Sequence, residues 1–560
     1  MSNKKNINGQ AHELLFVTAV ALSTVSVPVL AFDLDVGNPD FSIRLDTTAK
    51  YTSGMRVEGR DKHIASAPNN DEGDYKFDRG ELVMNRLDLL SEMDVIYRDQ
   101  YGFRVSGAGW YDDGYKDPSV EQNPSLAARG WQSSYTKDSY SGNVKRYYRG
   151  PSGEILDAFV FANLSAGDTP IYLKAGQHTI YWGSATFDSF AQGINYGQAP
   201  QDARKAAAVP GTTAKEAFLP VNQLSFTSQL LPTFSIAGQY MLDWKPSRFP
   251  EGGTYFSGSD FLFSGPERFP LGPGFSVPHA DALEPKDHHG SFGLSATWTP
   301  DYMKGGAVSA YYRKFDDPTP WLAPQILTSG GRPSAYRLVY PEDIKLFGLG
   351  VNMTVLGASV GADISMRKNA PLVASGVSLI DNEGPRGDTL HVILNAVKSL
   401  PNTRLWDTGT VIAELSYSHL LDVTEHEELF RGKGYAGCTN ATRTGKGGVE
   451  DGCATENFWG VSTQFTPQWL QVFPGVDLSL PITARYGLSG NGATSLSGNE
   501  GAYAYSVGIA ADFYQKYKAQ LTYADSYADY NSINGVAVNG NGGYGTNDRG
   551  WVSLSLQTSF

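Results

Sequence analysis

The stretch WVSLSLQTSF, residues 551–560, decides the fold. Its apolar and polar side chains alternate, so that Val552, Leu554, Leu556, Thr558 and Phe560 share one face of an extended chain. About ten residues is the length of a β-strand that crosses a bilayer at a tilt. The stretch therefore predicts a membrane-crossing strand. We expect its terminal aromatic residue, Phe560, to be the signal that outer-membrane assembly machinery reads.

The same period of two recurs along the chain. Eighteen segments carry it, near residues 41–53, 84–97, 101–112, 155–164, 171–181, 222–230, 233–244, 291–299, 306–314, 344–353, 356–367, 389–399, 409–420, 458–466, 475–488, 502–514, 517–526 and 551–560. In most of them one face is apolar and the other is polar or charged. This pattern predicts an all-β fold, a transmembrane antiparallel β-barrel of about 18 strands, with 16 to 20 also compatible.

The connections between these segments alternate in length. Short turns, such as 98–100 and 231–232, alternate with long excursions, such as 114–154 and 245–290. Outer-membrane barrels have this asymmetry, with short periplasmic turns and long extracellular loops. Aromatic residues at the ends of the apolar rows and full charges in mid-strand favour a barrel over a soluble β-sandwich or propeller, whose apolar face would be the core.

The composition excludes several classes of protein. With 41% hydrophobic and 12% aromatic residues and only 2 Cys among 560, the chain is neither disordered nor a disulfide scaffold. A single apolar run of near-spanning length excludes a polytopic helical membrane protein. The net charge of -13 argues against nucleic acid as a partner.

Residues 1–31 have the order of a secretory signal peptide. Two lysines precede a mostly apolar run at 14–30, which ends in the small residue Ala31. An N-terminal membrane anchor is the alternative, but polar residues and a proline interrupt the run. We therefore expect a signal peptide at 1–31 and a single barrel domain at 32–560, in the outer membrane of a Gram-negative bacterium.

Two stretches carry a family resemblance. Residues 85–115, NRLDLLSEMDVIYRDQYGFRVSGAGWYDDGY, and residues 179–224, with TIYWGSATF, GINYGQAP and AKEAFLPVNQL, resemble the proteobacterial outer-membrane group catalogued as domain-of-unknown-function family 1302 (DUF1302). Ser184 and Ala185 stand where that family usually has Glu-Ser. The resemblance implies an outer-membrane barrel, of a kind often encoded near systems that handle hydrophobic carbon sources or lipids.

The excursion at 182–221 is the predicted constriction. It holds the aromatic residues Trp182, Phe187, Phe190 and Tyr196 among several glycines. A barrel of this size leaves a water-filled bore unless a loop obstructs it. We expect the loop to fold inward and its aromatic side chains to contact the permeant. An ordinary surface loop is the alternative.

The charged side chains on the polar strand faces are the predicted pore lining. They are Arg44, Asp46, Arg86, Asp88, Glu92, Asp94, Arg104, Lys174, Asp363, Arg367, Glu414, Arg485, Asp512 and Lys518. Rings of charge can select ions or orient polar head groups. The alternative for any one of them is simple pairing across strands.

Cys438 and Cys453 lie in one long loop of an exported chain, which predicts a disulfide worth about 3 kcal/mol. A metal pair is not expected, because only His426 lies near. The acidic loops 69–74 and 539–548 match no calcium-binding motif and are interpreted as solvated. We expect neither a metal nor a cofactor.

The favoured hypothesis is a monomeric outer-membrane channel or transporter for small hydrophobic or amphipathic molecules. A general diffusion porin, which needs no constriction, is the first alternative. An outer-membrane lipid hydrolase is less favoured, because neither Gly-x-Ser-x-Gly nor His-Glu-x-x-His occurs, and we expect no catalytic residue. A passive structural barrel would not need a charged lumen. The expected partners are outer-membrane lipids and lipopolysaccharide, the barrel-assembly machinery, a small permeant, and a periplasmic or inner-membrane transport partner.

Overall fold

The computed structural model describes residues 32–34, 36–188, 191–208, 217–439 and 447–560; the predicted signal peptide lies outside these ranges. The chain forms a closed antiparallel barrel of 18 strands. They are β1 Phe41–Arg56, β2 Leu82–Tyr97, β3 Tyr101–Asp112, β4 Ser152–Ala166, β5 Thr169–His178, β6 Val221–Leu231, β7 Phe234–Met241, β8 Phe292–Trp298, β9 Ala307–Phe315, β10 Ile344–Val355, β11 Ala358–Pro371, β12 Arg386–Ser399, β13 Thr408–Glu425, β14 Asn457–Phe473, β15 in two parts, Val476–Ser479 and Ile482–Ser489, β16 Tyr503–Phe513, β17 Tyr517–Tyr527 and β18 Trp551–Ser559. The predicted strand number is confirmed.

The barrel closes between its first and last strands. β18 pairs with β17 on one side and with β1 on the other, from Thr48 opposite Ser559 to Arg56 opposite Trp551. Thr47 and Phe560 extend this seam by exchanging two backbone hydrogen bonds of 2.8 and 2.9 Å. The barrel therefore has no free edge along the seam, which is how such sheets avoid unpaired backbone groups in a membrane.

The two faces of the wall differ as the alternation requires. Large apolar side chains on the outer face, such as Leu89, Phe103 and Leu294, are exposed. Charged side chains on the inner face, such as Asp363 and Glu414, are buried. An apolar surface of this kind is unfavourable against water and favourable against lipid chains.

The two ends of the barrel are also unlike. At the short-turn end, consecutive strands are joined by turns such as 98–100, 356–357 and 514–516. At the long-loop end, the connections carry three hairpins and several helices: hairpins Arg268–Gly272 with Phe275–Pro278, Gln325–Ser329 with Arg332–Arg337, and Tyr530–Ile533 with Val536–Gly540, and helices Glu72–Tyr75, Pro124–Ala128, Gly142–Val144, Ala203–Ala208 and Ala436–Thr439. Within the described ranges, no helix has both the length and the apolar character needed to cross a bilayer.

The long loops pack into a cap over the long-loop end. Its core contains aromatic residues from four different connections or strands, including Phe77, Tyr115, Tyr140, Tyr255 and Trp551. Burial of several such rings stabilises the cap, because each removes a large apolar area from water. The cap is therefore a packed layer and not a set of independent loops.

The carboxyl groups of the acidic loops are buried in this cap, so the interpretation of these loops as solvated is wrong. Asp74 is fully buried and forms an ion pair of 2.8 Å with Arg56, which also lies 3.4 Å from Asp548. Arg549 lies 3.4 Å from both carboxylates. Asp71 accepts a hydrogen bond from the backbone N–H of Asn123, yet burial raises its pKa to about 8. Arginines and a backbone N–H group thus contact these carboxyl groups inside the cap.

Candidate functional site

We call the connection between β5 and β6, residues 179–220, the bore loop, because its described residues between Trp182 and Gln198 contact the inner wall of the barrel. Trp182 packs in the place that a Cβ on Gly293 of β8 would fill, and its ring centroid lies 6.0 Å from that of Tyr311 on β9. Gly183 adopts a φ of +87° and packs against Asp363 of β11, where a Cβ would collide with the carboxylate. A glycine is required there for both reasons.

Two wall carboxylates bind the N–H groups of the descending part of the bore loop. Asp363 accepts a hydrogen bond of 2.5 Å from the N–H of Ser184. Glu414 on β13 accepts three, from Thr186 at 2.5 Å, Phe187 at 2.9 Å and Asp188 at 2.7 Å. Three successive donors on one buried carboxylate fix the backbone of this turn, because hydrogen bonds to a charged acceptor are stronger than neutral ones.

Three wall arginines bind carbonyl groups of the same loop. Arg485 on β15 donates to the carbonyl oxygen of Phe187 at 2.6 Å. Arg367 on β11 donates to those of Ala191 at 2.8 Å and Gly193 at 3.2 Å, and Arg313 on β9 donates to those of Ile194 at 3.0 Å and Tyr196 at 2.6 Å. Wall carboxylates thus bind the N–H groups of the loop and wall guanidinium groups bind its carbonyl groups, so the loop is held in place through its backbone.

The bore loop then returns toward the long-loop end. Gln198 accepts from the N–H of Trp182 at 2.9 Å and donates to Gln239 on β7 at 3.0 Å, so the two arms of the loop are bonded to each other and to the wall. Asp202 next pairs with Arg204 at 2.6 Å and with Arg248 at 3.5 Å. Burial alone would raise the pKa of Asp202, but Arg204 above all, with Lys205 and Arg248, lowers it to about 2.

The wall contacts of the bore loop described above lie on β7 to β15. The remaining predicted pore-lining residues lie elsewhere on the inner face: Arg44, Asp46, Arg86, Asp88, Glu92, Asp94, Arg104 and Lys174 on β1 to β5, and Asp512 and Lys518 on β16 and β17. Several pair across strands or along a strand. Arg104 contacts Asp94 at 2.6 Å and Arg86 contacts Asp88 at 2.9 Å. The structure therefore brings Asp363, Arg367, Glu414 and Arg485 together around the loop and leaves the others on the facing wall.

The predicted aromatic residues of the loop have different surroundings. Trp182 and Tyr196 are buried against β8 to β11, and the ring of Tyr196 lies 3.9 Å below the guanidinium of Arg367. The hydroxyl of Tyr196 donates to Asp317. Phe187 lies beside Arg485, with 5.6 Å between the guanidinium and the ring centroid. Phe190 lies outside the described residues. Contact of any of them with a permeant stays a prediction.

Cys438 and Cys453 form a disulfide in the connection between β13 and β14, with 6.1 Å between their Cα atoms. Both are fully buried in the cap. In the ranges that the structure covers, no group of three or more His, Cys, Asp or Glu side chains could hold a metal ion.

Three wall side chains that hold the bore loop in place were not predicted from the sequence. Arg313 lies in YYRKF, where aromatic neighbours on both sides obscure the polar face. Asn395 on β12 donates to the carbonyl oxygen of Ser184, and Gln239 contacts Gln198. Strict alternation places all three on the inner face, and that was the available signal.

The profile of the family described as "Protein of unknown function (DUF1302)" matches residues 14–560. No curated protein matches the sequence. Similar solved structures include OccAB1 of Acinetobacter baumannii (9% identity, 95% of this chain and 98% of that chain, TM-score 0.43) and OpdK of Pseudomonas aeruginosa with vanillate (9%, 92% and 98%, 0.39). Another is the outer membrane channel DcaP of Acinetobacter baumannii (12%, 94% and 99%, 0.35).

Proposed function

The chain belongs to the DUF1302 family, and we propose that it is an outer-membrane channel for small hydrophobic or amphipathic molecules, with a bore narrowed by the bore loop. The observation that carries this proposal is the seating of the loop backbone by Asp363, Glu414, Arg485, Arg367 and Arg313 inside a closed barrel. Four of these side chains, all except Arg485, are buried. A loop packed only for stability would not need four buried charges directed at its peptide groups, since unpaired buried charge is costly.

The membrane location rests on the outer face of the barrel. Its exposed apolar rows end in aromatic residues such as Tyr101, Trp298 and Tyr503, the arrangement that suits a bilayer with two polar boundaries. We place the short-turn end in the periplasm and the cap outside the cell, in contact with lipopolysaccharide. Barrel-assembly machinery would insert the protein, and a periplasmic or inner-membrane partner would continue transport.

Selectivity would arise from the space between the bore loop and the facing wall. That wall carries both signs of charge, with Arg104 paired to Asp94 and Arg86 to Asp88. Such pairs keep a passage wet while offering groups that a polar head can exchange with. A permeant with a polar and an apolar part would contact both kinds of surface.

Replacing residues 184–197 with a short Gly-Ser linker tests the proposal. We expect the single-channel conductance in planar bilayers to rise at least about twofold, because the wet cross-section of the bore increases. The matched control shortens the cap hairpin Gln325–Ser329 with Arg332–Arg337, which lies outside the bore loop. Heat-modifiable mobility on gels confirms that both variants are folded.

Conductance of the linker variant equal to that of the intact protein would refute the constriction. A folded barrel with high, unselective conductance before any change would instead favour the general diffusion porin.

A further inference from the structure

The inner wall of β4 and β5 departs from the polar pattern of the bore. Phe159 and Phe161 on β4 and Tyr172 on β5 share the inner face with Lys174, because Phe161 stands opposite Lys174 and Tyr172 opposite Asn163. Lys174 in turn lies in register with Ser225 and Gln239, which are also on the inner face. Three lumen-facing aromatic rings on two adjacent strands require an explanation, since apolar rings in a wet bore gain nothing from lipid.

The rings form a continuous ladder along the wall. Centroid distances are 5.4 Å from His178 to Phe159, 6.4 Å from Phe159 to Phe161 and 5.9 Å from Phe161 to Tyr172. His178 ends β5 at the long-loop end, and Tyr172 lies near the short-turn end. Six residues at about 3.3 Å each give a track of about 20 Å along the strand.

A glycine on the neighbouring strand makes room for one of these rings. Gly102 on β3 stands opposite Phe161, and a Cβ at that position would collide with the ring. The missing side chain at Gly102 therefore makes room for the Phe161 ring against β3. An aromatic ring on the inner face is a surface against which an apolar body can stack.

Lys174 supplies a cation beside the rings. Its Nζ lies 5.0 Å from the ring centroid of Phe159 and 5.4 Å from that of Tyr172. Nearby carboxylates have other partners: Asp94 is held by Arg104, and Asp157 contacts Ser106. Of the ion pairs within 4 Å that the structure describes, none includes Lys174.

We propose that Phe159, Phe161, Tyr172 and Lys174 form a binding track for amphipathic anions, molecules with an apolar aromatic or aliphatic body and one carboxylate. This inference rests on the proposed channel and names its substrate class. The apolar body stacks along the ladder and the carboxylate contacts the Lys174 ammonium. The described residues of the bore loop between Trp182 and Gln198 contact β7 to β15, so the ladder faces the passage that this part of the loop leaves beside β4 and β5.

Benzoate, benzylammonium and acetate are suitable probes. Their binding to the folded barrel in detergent is measured by isothermal titration calorimetry, and their block of ion current in planar bilayers is measured in parallel. We expect benzoate to bind at least about fivefold more tightly than either other probe, because only benzoate carries both a ring and the right charge.

The variants separate the two contributions. Lys174→Gln should weaken benzoate about tenfold and leave benzyl alcohol unchanged. Phe161→Ala should weaken benzoate and benzyl alcohol alike by about five- to tenfold, and Phe161→Leu serves where the alanine variant folds poorly. The matched control is Phe103→Ala on the outer face of β3, which should change neither ligand.

Equal affinity for benzoate and benzylammonium, or a Lys174→Gln variant that binds benzoate like the intact protein, would overturn the track. Failure of the two proposals is distinguishable. A barrel that conducts ions but does not bind benzoate refutes the track alone. If benzoate binds but neither the intact protein nor the linker variant conducts ions, the channel is refuted.

Discussion

Replacing Glu414 with alanine should unseat the turn of the bore loop. The substitution removes the acceptor of three hydrogen bonds, from the N–H groups of Thr186, Phe187 and Asp188. A hydrogen bond to a charged group contributes about 1.5 kcal/mol at the low end, so three of them amount to about 4.5 kcal/mol. That figure corresponds to a change of roughly a thousandfold in the equilibrium between the seated and the released turn.

Two measurements follow the release. Single-channel conductance in planar bilayers should rise, but less than in the linker variant, because Arg367 and Arg313 still hold the ascending part of the loop. A cysteine introduced by Thr186→Cys should become accessible to a thiol reagent only in the Glu414→Ala background. Asp512→Ala is the matched control, since it removes an inner-face carboxylate that stands opposite Lys518.

Equal conductance and equal labelling of the Glu414→Ala and Asp512→Ala variants would refute the role of Glu414 in holding the turn. If loss of one negative charge were enough to change the conductance, Asp512→Ala would change it as well. Glu414→Gln, which keeps one acceptor oxygen, should fall between the intact protein and the alanine variant.

Three further predictions concern other parts of the barrel. Deleting Phe560 removes two backbone hydrogen bonds to Thr47 as well as the terminal aromatic residue, so heat-modifiable protein in the outer membrane should decrease; unchanged insertion would contradict this. Cys438 and Cys453 should not react with a thiol label in the denatured, unreduced protein, and substantial labelling would contradict the disulfide. Burial raises the pKa of Asp71 to about 8, so the protonated side chain contributes to the stability of the cap. This contribution is complete at a pH below the ordinary pKa of a carboxyl group and is lost as the pH rises through about 8. Limited proteolysis of the cap should therefore be faster at about pH 9 than at about pH 6. Asp71→Asn should reduce this difference without removing it, because burial also raises the pKa of Glu72 and raises that of Glu251 to about 7.

The fold could be predicted from the sequence because the bilayer imposes a simple rule on each strand. Val552, Leu554 and Leu556 must face lipid while their neighbours face the bore, so a period of two follows directly from local environment. Strand number and the alternation of short and long connections emerged from the same rule. Pro481 interrupts β15, but pairing with the neighbouring strands continues on both sides of it.

The candidate site was only partly predictable, because it is formed by contacts between residues far apart in the chain and not by a local pattern. Glu414, Asp363 and Arg485 stand out as charges on alternating strands, whereas Arg313 lies between aromatic residues that mask its face. The inward orientation of Phe159 and Phe161 was not predicted, because Val160 between them is also apolar and the segment shows no alternation of apolar and polar residues. The burial of Asp74 and Asp548 depends partly on ion pairs between distant parts of the chain, Arg549 with Asp74 and Arg56 with Asp548, which a local pattern does not reveal.

The anchoring of the bore loop also constrains the order of events during biogenesis. Thr186 is separated from Glu414 by 228 residues and Phe187 from Arg485 by 298, so the loop is translocated long before its anchors. The loop can be docked only when β13 and β15 have joined the growing sheet, close to the moment at which β18 meets β1. Docking of the loop and closure of the barrel are thus late, nearly simultaneous steps. A defect in the loop should therefore not affect the addition of early strands, but it should delay completion of the folded barrel.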